Sequence, residues 1–421
     1  MRILYSISIY LYTVGVRLFA IFGNHKAELW IKGRKNWRSK YSEILKNDNR
    51  PSIWFHCASL GEFEQGRPVI EEIRKRNPYA KIILTFFSPS GYEIRKNYPV
   101  TDHVFYLPPD LTANAKYFVS LLNPKAVLFI KYDFWFNYLN ELNVRKIPVY
   151  FISSGFRKNQ IFFSPAGKYF LNILRNVNHY FLQNKTSGEI LSAHNILNYT
   201  VSGDTRYDRV KSNSLSAICP QEIKNFANEK LLIVCGSTWP ADEDIIFKIL
   251  DSELKKRIKL VFAPHEVHAA NIIRLKNKSD NLLGIGSTAL FSESIGKNTQ
   301  DSAVLIIDCI GILGSAYKCA HIAYVGGGMK NALHNILEPA AFGKPVLMGN
   351  NHSKYPEAKA LEIAGGAFSF GDSGELKKHL IRLIDDKILY TKAENSAKMF
   401  VSRNCGATNS IIDKLISDKI I

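Results

Sequence analysis

Between residues 52 and 203 the chain alternates short apolar runs with longer segments of helical spacing, and that alternation restricts its fold more than any other feature. The runs at 53–56, 81–85, 103–107, 126–131, 148–153 and 179–183 read as strands. Apolar strands of this kind, each followed by an amphipathic stretch, form a parallel sheet with helices on both faces. A second series opens at 231–235 and continues at 259–263, 303–308, 321–325 and 345–348, and residues 376–420 read as helices. A length of 421 residues suits two α/β domains. The polar stretch 211–229, which holds Pro220, is the expected linker between a first domain at 24–210 and a second at 230–421.

In an open parallel sheet, ligands bind outside the carboxyl ends of the strands, so the residues after each strand carry the functional reading. The first strand ends in His56-Cys57-Ala58-Ser59-Leu60-Gly61-Glu62, where Ser59 and Gly61 let the backbone approach a ligand and Glu62 stands at a helix start. A carboxylate there can serve the positive end of the helix dipole, or act as a general base when partly desolvated and within reach of a hydroxyl. Local sequence leaves both roles open. Ser88 and Gly91 follow the second strand, Lys131 and Asp133 the fourth, and Arg157 the fifth. Any one of these loops reads as an ordinary helix cap. Four of them on one edge of a sheet make a shared cleft.

In the second series, Ser237 and Thr238 lie directly between a strand and a helix, a place that aims backbone and hydroxyl donors at a phosphate. Gly326, Gly327 and Gly328 also follow a strand and allow a phosphate close to the chain. Asn335 and Glu338 then enter a helix start, where a carboxylate can hold two vicinal ribose hydroxyls. The chain has neither a G-x-G-x-x-G nor a Walker lysine pattern, so the nucleotide reading rests on the two turns and the carboxylate together.

The formal net charge of +18, from 55 basic against 37 acidic residues, favours an anionic partner: nucleic acid, acidic lipid or a phosphorylated small molecule. Residues 1–23 hold no acidic residue, carry only Arg2 and Arg17 as charges, and lack the small-residue cleavage site of a secretory signal. With the basic run Lys26, Lys32, Arg34, Lys35, Arg38 and Lys40 behind them, they read as a membrane anchor or interfacial helix. The alternative is a buried amphipathic helix of the first domain. The six cysteines lie far apart without a Cys-x-x-Cys pair, which implies a reducing compartment, no zinc site and no disulfide framework.

At His56 to Glu62, Ser88-Pro89-Ser90-Gly91, Leu107-Pro108-Pro109-Asp110, Asp133-Phe134-Trp135 with Asn137, Gly203-Asp204-Thr205-Arg206-Tyr207-Asp208, Gly326 to Gly328 and Asn335 to Ala340, the chain resembles the 3-deoxy-D-manno-octulosonic acid (Kdo) transferase family. The resemblance implies a GT-B glycosyltransferase architecture of two Rossmann-like domains facing a cleft, behind an N-terminal membrane anchor. It implies that Glu62 is the general base and that CMP-Kdo is the donor, bound without a metal or other cofactor. Ser237, Thr238, Gly326, Gly327 and Gly328 would meet the phosphate, and Glu338, with Asn335 beside it, the ribose. The acceptor would be a phosphorylated lipid A precursor, lipid IVA, at the cytoplasmic face of the inner membrane. Ser59, Gly61, Ser88, Gly91, Lys131, Asp133, Arg157 and Arg206 would line its cleft. Where the family carries Pro-Arg-His, this chain has Pro264-His265-Glu266, which leaves His265 or another cation in place of an arginine. Lys131-Tyr132-Asp133 replaces the more common Glu-x-Glu.

Two other readings share parts of this pattern. Another GT-B enzyme, with a different nucleotide sugar and lipid acceptor, meets every architectural argument. A nucleic-acid-binding protein explains the charge, but the basic residues are spread along the chain and no nucleic-acid module is present, so no nucleic-acid partner is expected.

Overall fold

The computed structural model describes residues 1–330 and 332–421. They form two compact units, Met1–Asp208 with Cys405–Ile421, and Arg209–Asn404.

The first unit holds β1 (Ser52–Cys57), β2 (Lys81–Phe86), β3 (His103–Tyr106), β4 (Pro124–Ile130), β5 (Val149–Ser154), β6 (His179–Leu182) and β7 (Tyr199–Val201). Their order is β3-β2-β1-β4-β5-β6-β7, and every pairing is parallel. Side chains alternate across a strand, so neighbours in β1 serve opposite layers. Trp54 packs with Phe118, Phe129 and Tyr138 on one face, while Phe55 packs with Phe63, Ile70 and Leu128 on the other. The second layer is completed by Ile411, Ile412 and Leu415 of the last helix, Ala407–Ser417. Asp208 caps that helix start by accepting the amides of Gly406 and Thr408 at 2.6 and 2.7 Å. Sequence pattern alone assigns these C-terminal residues to the second domain, but their apolar face packs in the first unit.

The second unit holds β8 (Leu231–Thr238), β9 (Ile258–Pro264), β10 (Thr288–Leu290), β11 (Val304–Ile306), β12 (Ile322–Val325), β13 (Val346–Gly349) and β14 (Ala367–Phe370). They are again all parallel, in the order β10-β11-β9-β8-β12-β13-β14. The stretch read as a linker is largely helical, Thr205–Ser216 and Gln221–Ala227, and buries Ile223 and Phe226 beneath Leu232 and Val234. A disulfide joins Cys219 to Cys319, whose Cα atoms are 5.4 Å apart, contrary to the expectation of none. The two thiols are separated by 100 residues, so no local spacing announces the pair.

Ahead of the first sheet come α1 (Arg2–Ile21), α2 (His25–Arg34) and α3 (Trp37–Leu45). The first of these is long and apolar enough to cross a membrane, and none of its residues is buried. That exposure fits an anchor and not a core helix. Its amino-terminal end is nevertheless held by the body of the unit. The Tyr5 hydroxyl donates to Asp110 at 2.7 Å, and Asp110 also accepts the amides of Asn137 and Tyr138 at 3.0 and 2.9 Å.

Candidate active site

Each sheet reverses its strand order beside its first strand, between β1 and β4 in one unit and between β8 and β12 in the other. Loops that leave such a switch point in opposite directions open a crevice for ligands. Ser59, Gly61, Glu62, Lys131 and Asp133 lie at the first switch point and Ser237, Thr238 and Gly326 to Gly328 at the second, while Ser88, Gly91, Arg157, Arg206 and His265 follow other strands.

In the first unit, β1 runs into α4 (Leu60–Arg76) through Ser59. Glu62 Oε2 accepts the Ser59 amide at 2.8 Å and its hydroxyl at 3.1 Å, so the carboxylate does cap the helix start. Among the described residues no side chain or amide donates to Oε1, which leaves lone pairs for a substrate hydroxyl. Burial, and then the charge of Asp133, raises the Glu62 carboxyl above its ordinary value, against the opposing pull of Ser59, Lys131 and His56. The helix-cap and general-base readings are therefore compatible in one residue.

Asp133 is set by a buried network. The His56 ring is fully buried, with Nδ1 2.8 Å from Thr85 Oγ1 and Nε2 2.9 Å from Asp133 Oδ2, and the Trp135 indole N–H lies 3.0 Å from the same Nε2. Lys131, directly after β4, and Ser153, near the end of β5, both have left-handed backbone, with φ of 68° and 51°. Non-glycine residues in that region are uncommon and concentrate at functional sites. Burial raises the Tyr132 hydroxyl, with the charges of Asp204 and Glu62 adding to the rise and Arg157 and Arg206 opposing it. Arg206 is oriented by the buried Asp204, to which its Nε donates at 2.9 Å; Gln65 and Gln183 donate to the same carboxylate.

Two expected residues have a structural task. Gly91 packs so closely on Phe86 that an added Cβ would lie 2.2 Å from the ring. Ser88 accepts its own Ser90 amide at the start of the next helix, while its amide binds the Ala58 carbonyl at 2.7 Å and ties the β2 loop to the β1 loop. Gly61 is different, because a Cβ there would meet only Ser59 Oγ at 3.9 Å.

In the second unit, Ser237 has a φ of 53°, and Thr238 Oγ1 is buried without a hydrogen-bond partner. An orphaned hydroxyl at a switch point suits a ligand oxygen. Two of the three amides in the glycine turn are engaged within the protein. Gly326 N–H donates to the Gly236 carbonyl at 2.9 Å and Gly327 N–H to Asp242 at 3.0 Å. Only the Gly328 amide lacks such a partner among the described residues. The turn is glycine because β8 and β13 crowd it: a Cβ on Gly326 would lie 2.4 Å from the Ser237 carbonyl oxygen, and one on Gly328 would lie 2.7 Å from that of Gly349.

His265 stacks on Trp239 and tilts against His334, with ring centroids 4.6 and 4.4 Å away. Burial, then the His265 charge, pushes His334 down to about 4, so it is neutral near pH 7. Its Nε2 accepts the Trp239 indole N–H at 3.2 Å, which places the remaining proton on Nδ1 as a donor. Glu338 Oε1 accepts Asn335 Nδ2 at 3.1 Å, and Glu338 shares with Arg209, Asn213, Ser315 and Phe342 a cavity of about 660 Å³. Burial raises the Glu338 carboxyl, while Asn335 and Arg209 oppose the rise. Sequence reasoning missed Arg209, Trp239, Asp242 and His334. Trp239 and His334 adjoin residues it did select; Arg209 and Asp242 carried no separate signal.

Two Rossmann-like units, each with an all-parallel seven-stranded sheet and its polar residues at the switch point, define the GT-B architecture. The fold is shared by UDP-GlcNAc 2-epimerase from Neisseria meningitidis, solved with UDP-GlcNAc, at a TM-score of 0.57 and 17% identity over 87% of this chain and 100% of that one. Residues 35–209 match the family model described as 3-deoxy-D-manno-octulosonic-acid transferase. The chain is 29% identical over 355 residues to the 3-deoxy-D-manno-octulosonic acid transferase of Aquifex aeolicus, covering 82% of this chain and 89% of that protein. It is 25% identical over 378 residues to the enzyme of the same name from Haemophilus influenzae, covering 86% of each. Over most of its length the chain is similar to Kdo transferases, and these homologues are glycosyltransferases.

Proposed function

We propose that this protein transfers Kdo from CMP-Kdo to a phosphorylated glucosamine disaccharide lipid, the lipid A precursor lipid IVA, with Glu62 as general base. The observation that carries the chemical part is the Glu62 carboxylate: largely buried, raised above its ordinary value, and capped on one oxygen only. A CMP-sugar already has a good leaving group, so the protein has two tasks. It must take a proton from the acceptor hydroxyl and stabilise the departing phosphate.

Glu62 Oε1 accepts the hydroxyl proton as that oxygen bonds to the anomeric carbon of Kdo and the bond from that carbon to the CMP phosphate oxygen breaks. The Thr238 hydroxyl, the Gly328 amide and His334 Nδ1–H supply donors for the leaving phosphate, and Ser237 and His265 stand beside them. Glu338, oriented by Asn335, holds the ribose in the cavity it shares with Arg209. Lys131, Arg157 and Arg206 face the anionic groups of acceptor and donor. No group of three or more His, Cys, Asp or Glu side chains among the described residues is arranged to hold a metal ion, and the steps above use none. α1 would keep the enzyme at the cytoplasmic face of the inner membrane, where a lipid acceptor lies.

Incubating the full-length protein with freshly made CMP-Kdo and tetra-acylated disaccharide lipid should give a product whose mass counts the Kdo units added. CMP should compete with the donor and UDP should not. Inhibition by UDP with no Kdo product would instead favour a GT-B enzyme of different donor.

A further inference from the structure

A cavity of about 330 Å³ opens beside the carboxyl-terminal half of α1, within the first unit and apart from the Glu62 loops. Small-molecule sites run from roughly 300 to 1,000 Å³. Tyr10, Thr13 and Arg17, three and four residues apart along one face of α1, form one wall; Trp30, Lys35 and Leu111 stand among those opposite. Two observations point to an anionic occupant. Arg17 and Lys35 form no ion pair among the described residues, and no carboxylate lines the cavity. Trp30 is 6% exposed, and its buried indole N–H has no acceptor. Orphaned buried donors are rare in native folds, and an anionic oxygen in the cavity would satisfy this one.

The indole is fixed in place. Arg34 lies 4.0 Å over the Trp30 ring and donates to the carbonyls of Trp30, Phe87 and Leu107 at 3.1, 2.7 and 2.8 Å. Three of the five Arg34 N–H donors are thereby used inside the protein. Arg17, Lys35 and the indole N–H remain for a ligand, with the Arg34 charge also at the cavity wall. Next to them runs the exposed apolar surface of α1, including Leu11, Leu18 and Phe19.

We propose that this cavity binds the phosphodiester headgroup of an anionic membrane phospholipid, with its acyl chains along α1. A phosphate would take the Trp30 N–H and the charges of Arg17 and Lys35, while the apolar wall and neighbouring helix surface receive the glycerol and first methylenes. A free phosphate would leave that apolar surface unused. The site would fix the depth and rotation of the anchor at the headgroup level, beyond a general attraction of basic surface to membrane. It rests on the reading of α1 as a membrane anchor.

The test uses the full chain in detergent with phosphatidylglycerol or phosphatidylcholine, read by native mass spectrometry, and flotation on vesicles of the same two lipids as a separate measure of anchoring. Wild type should retain one phosphatidylglycerol in preference to phosphatidylcholine. Trp30→Phe keeps the net charge but removes the N–H, and should reduce that retention by about tenfold, as loss of one hydrogen bond to a charged group implies. Arg17→Gln, at an exposed position that folding does not depend on, should reduce it as well. Equal retention by wild type and both variants, equal retention of the two lipids, displacement by inorganic phosphate alone, or retention only of the phosphorylated disaccharide acceptor would each overturn the site. Flotation without selective retention contradicts the headgroup site and leaves the anchor standing. Failure to float with either vesicle overturns both.

Discussion

At Glu62 the same physical cause shapes activity and stability. Burial and the nearby Asp133 charge raise its carboxyl above the ordinary range. A general base works in its ionised form, so the rate falls as pH drops through that raised value, and the acid limb of the kcat/KM profile should lie above a normal carboxylate. Asp133→Asn removes a charge that raises the carboxyl and should move the limb to lower pH; Lys131→Met removes one that lowers it and should move the limb higher. The stability consequence has the opposite sign to that of a salt-bridged carboxylate. A group whose pKa is higher folded than unfolded lets the native state hold the proton more tightly, so its contribution to stability is fully present below the unfolded value and declines as pH rises to the folded one. Glu62→Gln cannot ionise and keeps an acceptor for the Ser59 amide. It should therefore unfold at the same or a higher temperature than wild type near neutral pH, with the difference vanishing in acid. Glu62→Ala loses the cap and should cost about 1 kcal/mol, measured by denaturant unfolding.

At the level of elements, the two glycine positions divide cleanly. Gly326→Ala pushes a Cβ against the Ser237 carbonyl, a backbone atom with no rotamer to yield, and should destabilise the second unit by about 1–3 kcal/mol in chemical unfolding. Gly61→Ala has open space and should change stability by less than about 0.5 kcal/mol, so any loss of transfer would report the approach of substrate. The same scale explains what could be read from sequence. Most of the eleven legible strands are apolar on both faces, as in β1 and β2, where every residue is buried. The three that were not, β7, β10 and β14, are edge strands of three or four residues with partly exposed side chains, too short for a period to show. The candidate site was legible at strand ends, after β1 at Glu62, after β4 at Lys131, at the end of β8 at Ser237 and after β12 at the glycine turn. The glycine turn's internal hydrogen bonds were not, since Asp242 reaches Gly327 across 85 residues.

Across the whole molecule, long-range packing decided what local pattern left open. The last helix looked like a continuation of the second series, yet Ile411, Ile412 and Leu415 fit the first sheet, where Tyr150 also donates to Asp418 at 2.7 Å. The Cys219–Cys319 bond has the same origin, a contact between distant segments with no local signature. At the other end, α1 has no buried residue but is tied down through Tyr5 and Asp110, which gives the Leu-Pro-Pro-Asp segment a role as a seat for that helix. A chain lacking residues 1–23 should cease to float with vesicles while still binding CMP, as checked by flotation and calorimetry. The most direct test of the account as a whole compares wild type with Glu62→Gln for Kdo transfer to the disaccharide lipid and for CMP binding. The account predicts equal CMP affinity and a loss of transfer of about 10²- to 10⁴-fold in the variant. Undiminished transfer by Glu62→Gln would contradict it.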